Sequence, residues 1–214
     1  MRLAVLAMAA LLLLAVPLAS PLLADEAAEV RELVQPRIVE VVGLLKSNNI
    51  GKAERNRKII AIADSMFDFE LMAKLSLGQT HWSPLAPAQR DEFVRVFVER
   101  LQESYLEKLD LYTDEEVVVD EAKPVKSRVY LTTHLVSKTD RKEMIYKFYK
   151  GKAGWKVYDV EILGVSVVQT YRSQFDGFLK QGTFAELMVK LKTSGEFSLP
   201  TGNEQPPSGT GKKP

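Results

Sequence analysis

Two histidines, His81 and His134, and no cysteine make up the whole supply of imidazole and thiol ligands in this 214-residue chain. Without thiols there is no disulfide scaffold, thiolate zinc site, iron–sulfur cluster or cysteine nucleophile. Two imidazoles are too few for a multi-histidine metal site. His81 stands beside Trp82 in an expected loop and His134 in an expected strand, so each reads as a structural or exposed histidine. Serines and carboxylates are plentiful, but none stands in a nucleophile-elbow pattern. No Walker loop, dinucleotide fingerprint or paired-histidine helix motif is present. Gly151-Lys152-Ala153-Gly154 looks faintly like a phosphate loop, but it lacks the spacing and joins two strand-like runs, so it reads as a hairpin turn. The chain carries 29 basic and 28 acidic residues, a net charge of +1, which gives no electrostatic basis for binding nucleic acid. The remaining chemistry is apolar and aromatic. Phe67, Phe69, Met72, Phe97, Tyr105, Tyr130, Tyr146, Tyr158 and Tyr171 are large for a single curved sheet with helices over one face. They form either an ordinary core or the wall of a greasy cavity.

The elements that must position these side chains follow from periodicity. Val30, Leu33, Val34, Ile38, Val41, Val42 and Leu45 recur near a 3.6 period over residues 27–46, and Pro36 inside that run should kink or split the helix. A second helix carries Ile59, Ile60 and Ile62. A third, capped by Asp64 or Ser65, should run through Phe67, Phe69, Leu71, Met72 and Leu75 to Gly78. Pro87 suits the first turn of a long helix reaching Leu109, with Phe93, Phe97, Leu101, Tyr105 and Leu109 four residues apart. The pattern then changes to period two. Val117-Val118-Val119 is a β-branched run. Val129, Leu131, Thr133 and Leu135 alternate against Arg128, Tyr130, Thr132 and His134, and Met144, Tyr146 and Phe148 alternate against Ile145, Lys147 and Tyr149. Turns at residues 138–140 and 150–154 join these runs, and Trp155 to Ile162 is the return strand. Gly164 should end the sheet and Ser166 help cap a helix carrying Val165, Val168, Tyr171, Phe175 and Phe178. A last helix holds Phe184, Leu187, Met188 and Leu191. The expectation is an α+β fold: a four-stranded antiparallel meander sheet wrapped by N- and C-terminal helices.

Both ends read differently from this body. Arg2 precedes an apolar run over residues 3–18, broken by Pro17 and Pro21, and Leu22-Leu23-Ala24 stands before Asp25-Glu26. This is the pattern of a secretory signal peptide over residues 1–24, cut after Ala24. A membrane anchor is the competing reading, but the run is short for a span. No cysteine follows it, so a lipobox anchor is excluded. Cleavage removes one basic residue, Arg2, and no acidic one, leaving equal numbers of each. An exported, unanchored chain of this kind points to the periplasm. Residues 200–214, rich in proline, glycine and small polar residues, read as a disordered tail.

Taken in order, Phe67-Asp68-Phe69-Glu70-Leu71-Met72-Ala73, Leu77-Gly78 with Trp82, and Pro87-Ala88-Gln89-Arg90-Asp91-Glu92-Phe93 form one block. Trp155-Lys156-Val157-Tyr158-Asp159-Val160, Gly164-Val165-Ser166-Val167-Val168 and Tyr171-Arg172-Ser173-Gln174-Phe175 form a second. Behind a signal peptide, this order resembles the MlaC, or toluene-tolerance Ttg2, family of periplasmic phospholipid-binding proteins. The resemblance makes residues 25–199 one lipid-binding domain. It implies an apolar cavity between sheet and helices that takes diacyl phospholipid. It also implies exchange with an outer-membrane lipoprotein complex and an inner-membrane MCE-domain ABC transporter, in the service of outer-membrane lipid asymmetry and solvent tolerance. It implies no cofactor and no catalysis, and the protein is expected to be a monomer. A hopanoid or other hydrophobic cargo is the alternative. A periplasmic lipid-ester hydrolase is the more distant one, since no motif supplies its nucleophile.

The motif blocks and facing patterns nominate lipid-binding residues. Phe67, Phe69, Met72 and Leu77 are expected on one wall, and Phe97, Leu101 and Tyr105 on another. Tyr130, Tyr146 and Tyr158 should line the sheet face, with Val165, Val168 and Tyr171 at the mouth or floor. Arg172 could meet a phosphate, or could pair structurally with Asp159 or Asp68. Two tails of about 16 carbons hold roughly 30 methylenes at about 0.8 kcal/mol each, so the cavity must replace on the order of 25 kcal/mol of solvation. The required volume is about 1,000 Å³, the upper end of ordinary ligand sites.

Overall fold

The computed structural model describes residues 21–110 and 115–193. Most of the expected signal peptide and the whole expected tail lie outside these residues. Helix α1 spans Pro21–Lys46, α2 Lys52–Met66, α3 Phe69–Leu77, α4 Gln79–Trp82 and α5 Pro87–Leu109. Strands β1 Glu116–Val125, β2 Arg128–Val136, β3 Arg141–Gly151, β4 Gly154–Ile162 and β5 Val165–Ser166 come next, then α6 Val167–Leu179 and α7 Phe184–Thr193. All strand pairs are antiparallel and neighbours in sequence, in the order β1-β2-β3-β4-β5. The expected four-stranded meander is there, extended by a two-residue fifth strand. Val165 therefore belongs to the sheet rather than to the following helix. Leu163 and Gly164, both at positive φ, make the tight turn that returns it onto Ile162.

Several helix boundaries differ from expectation for local reasons. Pro36 does not split α1. Arg37 Nη1 donates to Leu33 O at 2.6 Å, which satisfies a carbonyl beside the one that proline leaves without a donor. The cap of α3 is Asp68, whose carboxylate accepts Leu71 N–H at 2.9 Å; Asp64 and Ser65 lie within α2. Phe67 stands between the two helices in extended backbone, bridged to Val157. His81 and Trp82 are in the one-turn helix α4 rather than a loop. The long helix α5 has its expected bounds. Pro87 occupies its first position and the Gln89 side chain accepts Ala86 N–H at 2.9 Å. Ser166 caps α6 by accepting Gln169 N–H at 3.1 Å.

The core has two connected parts. Among the helices, Phe93, Phe97, Tyr171 and Phe175 form an aromatic cluster, with Phe97 and Tyr171 edge-on at 5.1 Å. Against the sheet, α1 buries Val30 and Val34 over the face carrying Val129, Leu131, Phe148 and Val157. The N-terminal part of α1 is tied to the β3–β4 hairpin through Glu29, which accepts from Lys150 Nζ at 2.9 Å and Trp155 Nε1 at 2.8 Å. A β-bulge where β4 passes Lys147 and Phe148 changes the alternation of that strand. Val157 on one side of the bulge and Val160 on the other both face inward. Tyr158 and Asp159 between them do not.

Candidate functional site

The corner between α2 and α3 is bolted onto the β3–β4 hairpin. Asp68 N–H donates to Val157 O at 2.8 Å, Tyr149 Oη donates to the Asp68 carboxylate, and Lys156 Nζ donates to Ser65 O at 2.6 Å. The hydrogen bond to Asp68 holds the Tyr149 phenol protonated, with its pKa pushed up to about 12. Between corner and hairpin lies an open cleft of ≈ 430 Å³, lined by Phe67, Phe69 and Tyr149 with Lys152 and Lys156 at the hairpin side. A second, smaller cleft of ≈ 180 Å³ lies between the C-terminal part of α1 and the start of β1. Neither is the large chamber expected between sheet and helices.

Phe67 connects the first cleft to the interior. Its ring stacks on Phe69 at 5.3 Å and meets Tyr146 edge-on at 6.4 Å. Tyr146 lies deep enough for burial to raise its phenol pKa, yet the residue is only half-buried. Tyr105 on α5 combines the same two properties. Burial raises its pKa most, and the neighbouring Tyr171 and Tyr146 add to the shift. Burial also pushes Tyr171 up to about 12. The hydroxyls of Tyr105 and Tyr171 are buried without a hydrogen-bond partner in the protein.

The nominated residues divide into three groups. Phe67, Phe69, Tyr105 and Tyr146 are half-buried and packed against the core. Met72, Leu77, Phe97, Leu101, Val168 and Tyr171 are 2% exposed or less and locked in helix packing, so they have almost no free surface to offer. Tyr130 and Tyr158 depart from expectation, because they do not share a sheet face with Tyr146. Tyr130 pairs with Lys147, the next residue along from Tyr146, and the bulge turns Tyr158 the same way. On that outer face Arg128 lies over the Tyr149 and Tyr158 rings at 5.3 and 4.9 Å, and Lys147 lies over Tyr130 at 5.8 Å. Val165 is half-buried on β5.

Arg172 pairs with neither expected carboxylate. Asp159 accepts from Lys147 Nζ, Ser166 Oγ and Val168 N–H, while Asp68 is taken by Tyr149 and Leu71. Arg172 is exposed instead, and its guanidinium lies over Gly78. The histidines are structural. His81 Nε2 meets the Asp176 carboxylate at 3.3 Å, and the buried His134 meets Asp120 at 2.9 Å. Among the described residues no group of three or more histidines and carboxylates could hold a metal ion. No helix among them is long and apolar enough to cross a membrane. Sequence reasoning does not nominate Lys152 and Lys156. The only signal is the phosphate-loop-like Gly151–Gly154 run, which folds as the expected hairpin.

The family model described as MlaC protein matches residues 37–193 of the chain. The intermembrane phospholipid transport system binding protein MlaC of Haemophilus influenzae is 21% identical over 121 residues, 54% of this chain and 56% of that protein. The chain thus matches little more than half the length of this curated relative. Among solved structures, a phospholipid-binding protein from Ralstonia solanacearum, in complex with a phospholipid, shares the fold with a TM-score of 0.66 at 22% identity. The match covers 76% of this chain and 94% of that one.

Proposed function

The chain belongs to the MlaC family, and on that premise we propose that it is a soluble periplasmic carrier of diacyl phospholipid. It binds acyl chains along the Phe67–Tyr146–Tyr105 passage and exchanges them with membrane-bound complexes on both sides of the periplasm. The observation that carries this reading is the match of the MlaC family model to residues 37–193. The phospholipid named for the Ralstonia protein and the transport system named for the Haemophilus protein support it.

Volume sets the mechanism. The open cleft holds ≈ 430 Å³, against about 1,000 Å³ for two full tails. Loading therefore requires the interior beside Tyr146 and Tyr105 to widen as chains enter. Solvation sets the route. A gross transfer term on the order of 25 kcal/mol forbids passage through free aqueous lipid, so cargo must move mouth to mouth between carrier and partner. The protein works as a monomer, and no chemical step is required of it.

The test is transfer of labelled phospholipid between two vesicle populations separated by a filter that passes protein but retains vesicles. Label should cross only when the protein is present. Crossing at the protein-free rate would contradict the carrier reading.

A further inference from the structure

We propose that the cleft between the α2–α3 corner and the β3–β4 hairpin is the mouth of the lipid site, and that Lys152 and Lys156 on its rim hold the head-group phosphate. This rests on the carrier reading and adds the place and chemistry of entry. Phe67 lines the cleft and its ring lies near-perpendicular to that of Tyr146 at 6.4 Å, so it links the cleft to the proposed acyl-chain residues. At ≈ 430 Å³ the cleft admits a head group and the upper parts of two chains, leaving the rest for the passage beneath.

Charge singles out these two lysines. The other lysines of β3 and the hairpin have carboxylate partners: Lys142 with Asp140, Lys147 with Asp159 and Glu161, Lys150 with Glu29 and Glu26. Lys152 is exposed at the hairpin tip with no carboxylate partner among the described residues. Lys156 donates to the neutral carbonyl of Ser65, which leaves its charge uncompensated. Asp64 and Asp68 line the corner side of the same cleft. Asp68 accepts from Tyr149 and Leu71 and Asp64 from Gln102 at 3.1 Å, all neutral donors, so the cleft has an anionic corner edge facing the cationic hairpin edge where the lysines stand. Gly154 leaves room beside the lysines, since a Cβ there would meet nothing within 4 Å. Ammonium groups on flexible stems bind phosphate as point charges, without the planar match of arginine. Any phosphodiester lipid should therefore be accepted, whatever alcohol is esterified to its phosphate.

The experiment offers the full chain vesicles that contain equal amounts of labelled dioleoyl phosphatidylglycerol and dioleoylglycerol, then counts both labels on the recovered protein. The Lys152→Gln/Lys156→Gln variant should lose phospholipid roughly tenfold relative to the phosphate-free lipid. Lys152→Gln alone, at an exposed tip, should shift the ratio the same way, which guards against misfolding. Equal loss of both lipids, or an unchanged ratio, would overturn the assignment of the lysines. A phospholipid with a photoreactive head group should crosslink within residues 149–156, and crosslinks confined elsewhere would overturn the mouth. Inorganic phosphate alone that shields both lysines from amine labelling as fully as phospholipid vesicles do would make this a free-phosphate site and overturn the lipid assignment. Wild-type protein that takes up neither lipid would defeat the carrier reading itself. Wild-type loading with unchanged variant ratios would defeat only the phosphate contact.

Discussion

A tyrosine hydroxyl with no partner inside a protein is a liability unless something else meets it. Tyr171 is 1% exposed and packs edge-on against Phe97, but its hydroxyl bonds to nothing in the protein. Its ring and its hydroxyl should therefore behave oppositely under substitution. Tyr171→Phe keeps the ring and should leave stability within about 1 kcal/mol of wild type, or raise it. Tyr171→Ala opens a cavity and should cost about 3–5 kcal/mol. Urea unfolding of both variants checks this; a Phe variant as damaged as the Ala variant would mean the hydroxyl holds the fold. At this scale the sequence is only partly readable. Periodicity places Tyr105 on α5 and Tyr146 on β3, where both are half-buried against the core. Tyr130 could be set aside from sequence, since it alternates against the apolar residues of its own strand. Tyr158 could not, because its orientation depends on a bulge that no residue type announces. Lys152 and Lys156 gain meaning only beside the α2–α3 corner, a contact distant in sequence.

At the element scale, two ties decide whether the passage is held in shape. The first is the break after α3, where Gly78 has φ +79 and ψ 153, a conformation nearly reserved for glycine. An added Cβ would sit 3.4 Å from Arg172 Nε, the far part of a side chain that can move, so backbone strain dominates. Gly78→Ala should cost about 1–3 kcal/mol, read as a lower denaturant midpoint at unchanged slope. A loss below about 0.5 kcal/mol would contradict this, since that is the level of an ordinary surface change. The second tie is Glu29, whose pKa is lowered from 4.5 by the hydrogen bonds from Lys150 and then Trp155. A depressed carboxyl pKa gives stability that is present above the unfolded value and lost as pH falls through the folded one. The tie between α1 and the hairpin should therefore persist at neutral pH and weaken below about pH 4.5. Trp155 fluorescence in a Trp82→Phe background should track that change, and Glu29→Gln should abolish it. A Trp155 signal flat to about pH 3 would contradict the tie. The bounds of α5 and of the meander are legible because long runs of period four and period two override local ambiguity. The start of α3 is not, because Asp64, Ser65 and Asp68 are all good caps, and only the bridge from Phe67 to Val157 selects the last.

At the scale of the whole molecule, a family fold packs its helices tightly around the Phe93, Phe97, Tyr171 and Phe175 cluster and leaves Tyr105 and Tyr146 half-buried beside it. Near-neutral charge gives no electrostatic basis for adhesion to anionic surfaces. Composition excludes cysteine and multi-histidine chemistry from the outset, and periodicity establishes the α+β class. Neither can measure the interior, because the same large side chains serve a solid core or a lined hollow. The central claim is that this interior holds diacyl lipid. Native mass spectrometry of protein purified without detergent from a bacterial host tests it most directly. The account predicts discrete mass additions matching diacyl phospholipids, removed by organic extraction and restored by incubation with phospholipid vesicles. A bare polypeptide mass before and after such incubation would contradict it.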